Sequence, residues 1–296
     1  VKSGVWPDAV AVLSQTAACT GTLITPDVVL TAGHCIETEP AVVVVDTVDY
    51  GMPGGEPIKV KWSLAYPDWQ STYDVGVVVL EHPAATEPRV VAAACSAREG
   101  LIAGALVELV GFGLTTRSGT GNNTRLHEAP IAVLDATCAA DPACAAQVAP
   151  GGEFTARGDG ADACFGDSGG PVYLHTAKGA ALIGVVSRAS AASGPPCGDG
   201  GVYVRADKVI SWVQQVTHEK VVRTRCSGAG DDGGGDAATD EGAAGSGGCA
   251  ASHGGGGATT VIGLGVIAAA WAYRRRGRHQ TVPRKASRWR RAMLAR

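Results

Sequence analysis

The chain has 296 residues, a formal net charge of −3, 45% hydrophobic but only 5% aromatic residues, and nine cysteines. This exceeds one average domain, although all-β barrels of over about 200 residues fold as one unit, and the cysteine count points to an oxidising compartment. From Arg274 onward there are ten Lys/Arg and no acids, so the body is acidic, which speaks against nucleic-acid binding by the body and for a sorted or membrane-associated end.

Short apolar runs separated by turn residues follow one another along the chain: Ala9–Leu13, Thr20–Ile24, Val28–Leu30, Ala41–Val45, Val75–Leu80, Leu106–Val110, Ala129–Val133, Pro171–Leu174, Ala181–Val186 and Gly201–Val204. Many short strands at regular spacing predict an all-β barrel or sandwich, and abundant Gly, Ala and Val suit a core of small side chains. Asp207–Val216 carries Val209, Ile210, Trp212, Val213 and Val216 at helical spacing behind a candidate N-cap at Asp207, which predicts a C-terminal helix.

Three segments carry chemistry. Thr31-Ala32-Gly33-His34-Cys35 comes first, then Tyr73-Asp74 leading into an apolar run, then Gly166-Asp167-Ser168-Gly169-Gly170-Pro171. A serine hydroxyl is a poor nucleophile until an imidazole takes its proton, and that imidazole needs an acid to fix its tautomer. The order His34, Asp74, Ser168 and the residues around each resemble the trypsin-like, chymotrypsin-fold serine proteases. The resemblance runs from about Val5 to about Val222.

It implies two six-stranded antiparallel β-barrels with a C-terminal helix. His34 and Asp74 would come from the first barrel and Ser168 from the second, with the crossing at roughly Glu87–Gly104. Ser168 would be the nucleophile, His34 the general base and then acid, and Asp74 its orienter. Gly166 and Ser168 would supply the backbone N–H groups for the oxyanion, with glycine needed at the turn. Asp162 stands where trypsin-type members hold the carboxylate at the base of the specificity pocket, which implies cleavage after Arg or Lys. Gly201 and Tyr203 match the facing wall. The strand that would pair with substrate reads Ser187-Arg188-Ala189 where the family has Ser-Trp-Gly, and Ser190–Pro196 is longer than usual. Asp167 would pair with the ammonium freed by activation. Ser3-Gly4-Val5-Trp6-Pro7 resembles the stretch several residues downstream of such a terminus, so the activating end is expected upstream of Val1.

The resemblance also implies disulfides Cys19–Cys35 and Cys164–Cys197. Cys138 matches a family position whose usual partner is replaced by Thr155, so Cys144 is the candidate partner. Cys95 and Cys226 are left as a possible pair, and Cys249 is left over. No His/Cys cluster has zinc spacing, and neither a metal nor an organic cofactor is expected.

Residues 1–226 thus form the expected protease domain. Residues 227–257 are Gly/Ala/Asp-rich with almost no large apolar side chain, an expected disordered linker that contains Cys249. Residues 258–273 are apolar and uncharged, an expected transmembrane or sorting helix, and 274–296 a basic cytoplasmic tail. Gly247-Gly248-Cys249, the Gly-rich spacer, the apolar segment and Arg274-Arg275-Arg276 together resemble the Cys-containing sorting tails of myxobacterial surface proteins. A plain membrane anchor is the other reading. The whole predicts a secreted serine endopeptidase tethered to a bacterial cell surface, acting on protein or peptide substrates, with export and sorting machinery as partners. The alternative is a non-enzymatic surface adhesin or binding module on a protease scaffold.

Overall fold

The computed structural model describes residues 1–190 and 197–226. The first barrel is built from β1 (Ala9–Leu13), β2 (Ala18–Thr25), β3 (Val28–Thr31), β4 (Val42–Val45), β5 (Glu56–Ala65) and β6 (Gly76–Leu80). The second comprises β7 (Leu106–Gly111), β8 (His127–Asp135), β9 (Glu153–Arg157), β10 (Pro171–Thr176), β11 (Gly179–Ala189) and β12 (Gly201–Arg205). Every ladder is antiparallel, and the hydrogen-bonded orders are β1-β2-β3-β6-β5-β4 and β10-β11-β12-β9-β8-β7, each closed. Counted from the first strand of each, the two orders are the same, so one strand topology is used twice. Closure leaves neither sheet with an open edge.

Side chains alternate across each strand, so every strand has a barrel side and an outer side. Val10, Leu23, Val29, Val43, Ile58 and Val78 fill the first barrel, and Leu109, Ile131, Phe154, Val172, Ile183 and Tyr203 fill the second. A third cluster lies on the outer sides where the barrels meet, and includes Ile24, Leu30, Val77, Val110, Tyr173 and Val204. Each fully buried Val, Leu, Ile or Phe there contributes about 1.5–3 kcal/mol relative to exposure. The β2 strand shows the division: Cys19 and Leu23 point into the first barrel while Ile24 packs on the interface cluster.

Two strands carry no long apolar run. The β5 strand alternates, with Ile58 buried between exposed Pro57 and Lys59. The β9 strand is buried but contains Glu153 and Thr155. The segment between the barrels folds into α2 (Ala94–Gly100), pinned to the end of the described chain by Cys95–Cys226. Buried Asp8 takes two bonds from Arg89 and one from the Tyr173 hydroxyl, tying the N-terminal segment to the second barrel.

The C-terminal helix, α3, spans Ile210–Thr217 and follows a 3₁₀ turn at Ala206–Lys208. Asp207 does not cap it. Its carboxylate pairs instead with Arg205 at 2.8 Å. Among the described residues no helix is long and apolar enough to cross a membrane. The expected linker, apolar segment and basic tail, with Cys249, lie outside them.

Candidate active site

His34 sits on α1 (Gly33–Ile36), a single turn that follows β3, and Asp74 lies just before β6. These two strands pair at Thr31 and Gly76, which sets the two side chains next to each other. Imidazole Nδ1 lies 2.9 Å from Asp74 Oδ2, and the His34 backbone N–H donates to Oδ1 at 3.0 Å. The Ser187 hydroxyl, from β11 of the other barrel, donates to Oδ2 at 2.7 Å. Burial alone would raise the Asp74 pKa, but the bonds from His34 and Ser187 outweigh it and hold it below the ordinary value. An ionised carboxylate only accepts, so Nδ1 carries the proton and Nε2 is left with its lone pair facing away from Asp74.

Ser168 lies in the turn between β9 and β10. Gly166 has φ +99°, and a Cβ there would come 3.1 Å from the Gly113 Cα, so the turn requires glycine. Gly169 has φ +79° and no room for a side chain against Thr31 and Thr20. The loop is tied down by a residue that motif reading missed. Thr20 Oγ1 donates to the Gly166 carbonyl at 2.7 Å and accepts from the Phe112 N–H, while the Thr20 N–H donates to the Ser168 carbonyl at 2.9 Å. Thr20 is fully buried and projects from β2 toward the second barrel. No local signal sets Thr20 apart, since Thr22 in the same strand offers an equally buried hydroxyl that finds no partner among the described residues. Thr20→Val keeps the shape and removes the hydroxyl. It should cost about 1–3 kcal/mol in chemical denaturation.

Asp162 is half-buried in the same loop region. It accepts from the Ala163 N–H at 2.7 Å and from the Tyr203 hydroxyl at 3.0 Å, and burial raises its pKa. Gly201 opens β12, where a Cβ would come 2.8 Å from the Tyr203 hydroxyl. Ala189 ends β11 exposed and in register with Gly201. Asp167 is buried. Its carboxylate accepts the Gly113 N–H at 2.8 Å and the Cys164 N–H at 2.9 Å. Asp162 and Asp167 both line one cavity of about 180 Å³, with Gly113, His127 and Cys197.

Burial pushes the Asp167 pKa up to about 6, against 3.8 for an ordinary aspartate. A folded value above the unfolded one means that the folded state binds the extra proton. Asp167 is therefore least harmful to stability below about pH 4 and subtracts up to about 3 kcal/mol as pH rises through 6. In denaturant titrations between pH 4 and pH 7, Asp167→Asn should lack that part of the slope.

The structure joins Cys19 to Cys35, Cys95 to Cys226, Cys138 to Cys144 and Cys164 to Cys197. Two places among the described residues gather three potential metal donors: Cys19, His34 and Cys35, and Cys138, Cys144 and Glu153. In both, the cysteines are bound to each other and offer no thiolate.

Residues 1–213 match the protein-family model described as Trypsin. Among curated proteins, the chain is 31% identical over 215 residues to glucanase inhibitor protein 3 of Phytophthora infestans, an alignment that covers 68% of this chain and 79% of that protein. Two barrels of one topology, the match across most of the chain and this relative agree, and the chain belongs to the trypsin family.

Proposed function

We propose that the protein is a serine endopeptidase that cleaves peptide bonds through an acyl-enzyme. The observation that carries this reading is the His34–Asp74–Ser187 arrangement at the seam of the barrels, beside a glycine-dependent turn bearing Ser168. In this mechanism, His34 Nε2 takes the Ser168 proton as the hydroxyl attacks the carbonyl carbon. The Gly166 and Ser168 N–H groups receive the oxyanion. The imidazolium then returns the proton to the leaving amine, and the same base activates water for deacylation. Asp162 takes a cationic side chain on the acyl side of the scissile bond, with Gly201 as wall and Ala189 at the mouth, while Tyr203, buried in the second barrel, reaches the carboxylate with its hydroxyl from behind.

Activation follows from the cavity of about 180 Å³ that Asp162 shares with Asp167, which Gly201, Tyr203 and Ala189 do not line. Asp162 and Asp167 are both acids that line it, and burial there makes each costly to ionise. An ammonium entering beside Asp167 relieves that cost. The protease acts outside the cytosol, tethered through residues 227–296, and Cys249 is the place where the tail is processed. Mass spectrometry of the mature protein's two ends tests both points, and retention of Arg274–Arg276 would leave a plain membrane anchor.

The second reading is a binding module on a protease scaffold, and the relative's name favours it, since that protein is called an inhibitor. A fluorophosphonate distinguishes the two. Covalent labelling at Ser168 in folded, disulfide-bonded protein is expected for the protease. No labelling alongside a reactive control protease would leave the binding module.

A further inference from the structure

Arg188 is a half-buried charge where the resemblance implies an indole. Its guanidinium makes three bonds: Nε donates to the Ala143 carbonyl at 2.7 Å, Nη2 to Glu153 Oε2 at 2.8 Å, and Nη1 to Ser187 Oγ at 2.7 Å. Glu153 is fully buried, and its Oε2 also accepts the Ala145 N–H at 2.7 Å, while Oε1 has no partner among the described residues. Ala143 and Ala145 flank Cys144, so the Cys138–Cys144 loop holds both ends of the ion pair. Burial raises the Glu153 pKa, opposed by the Ala145 N–H and by Arg188. A carboxylate placed this deeply is costly unless its partner stays in place, so the pair fixes the Arg188 side chain.

The consequence lies one bond further on. An arginine can only donate. Ser187 Oγ must therefore accept from Arg188, and its single hydrogen is directed to Asp74 Oδ2. Without Arg188 the hydroxyl still donates to Asp74, but its oxygen loses the donor that fixes it from the other side. We propose that Arg188, anchored by Glu153, is a positioning residue that holds the Ser187 hydroxyl against Asp74 Oδ2 and thereby steadies the hold of Asp74 on the His34 Nδ1 proton. The role of that proton in turnover rests on the protease reading above; the positioning itself does not.

The test reads the proton directly. The His34 Nδ1–H resonance is followed by proton NMR in full-chain protein, and again in a Ser168→Ala background where turnover plays no part. Arg188→Met and Ser187→Ala should each speed exchange of that proton with water by about tenfold, the value of one charge-assisted hydrogen bond. Their combination should add little, because Arg188 acts through Ser187. Removing Arg188 leaves Glu153 buried and unpaired, so the double change Glu153→Met/Arg188→Met serves as the folding control, and its exchange should remain fast. Unchanged exchange in folded Arg188→Met protein, or wild-type exchange restored in the apolar double variant, overturns the proposal. Catalysis is read separately, as kcat on a peptide amide. If wild-type protein fails to react with a fluorophosphonate, the protease reading falls while the exchange result still decides the role of Arg188.

Discussion

Ser168→Ala should lower kcat for peptide hydrolysis by about 10⁶-fold, the loss seen when a triad acting as a unit loses its nucleophile. That is about 8 kcal/mol of barrier. The residual rate belongs to the oxyanion donors and to substrate binding, which the alanine variant leaves in place. Asp74→Asn should cost about 10⁴-fold, because an amide in place of the carboxylate no longer requires the proton to sit on Nδ1. It would also present a second donor to Ser187, whose hydroxyl now gives its hydrogen to Oδ2. Ser168 is half-buried, and its side chain is not needed for the loop tethers made by Thr20, so thermal unfolding should be unchanged within the usual range of a surface substitution. Initial rates on a peptide amide, normalised to folded protein, check both. A Ser168→Ala protein retaining a hundredth of the activity would end its assignment as nucleophile.

How far the sequence reaches is clearest by comparing residues. Strands with uninterrupted apolar runs, such as β3 and β6, are visible because burial on both faces demands apolar side chains throughout. The β5 strand is not, because it buries one face only and alternates polar with apolar residues around Pro57. The β9 strand hides because its buried positions include a glutamate and a threonine, and Glu153 acquires its partner Arg188 only in the folded barrel. The same limit applies at the site. Short local motifs single out His34, Asp74 and Ser168 as candidates, and the fold brings His34 and Asp74 into contact. Thr20 meets Gly166 across a separation of 146 residues, and Arg188 meets Glu153 across 35, so no local window links them. Arg188 read in isolation is only a departure from a family pattern. Beside Glu153 it is half of an ion pair, and two oddities of sequence become one feature.

Asp162→Ser should reverse the choice of substrate. A bound Arg or Lys side chain would meet the Asp162 carboxylate inside a pocket where burial already raises its pKa, so the cation and the carboxylate each remove the other's desolvation cost. Breaking such a buried pair from one side costs about 3–5 kcal/mol, and kcat/KM for Arg and Lys substrates should fall about a thousandfold. Substrates with Leu or Phe at that position should gain, since the uncharged pocket no longer leaves a carboxylate unpaired against them. The backbone of the pocket should survive the change. Asp162 accepts from the Ala163 N–H and the Tyr203 hydroxyl, and a serine oxygen can replace part of that set. Gly201 stays essential in both proteins, because a Cβ there reaches the Tyr203 hydroxyl. A peptide library profiled on wild type and variant gives the answer. Wild-type preference for Phe, Leu or Ala would remove Asp162 from the pocket base, and an unchanged Arg/Lys preference in the variant would do the same from the other side.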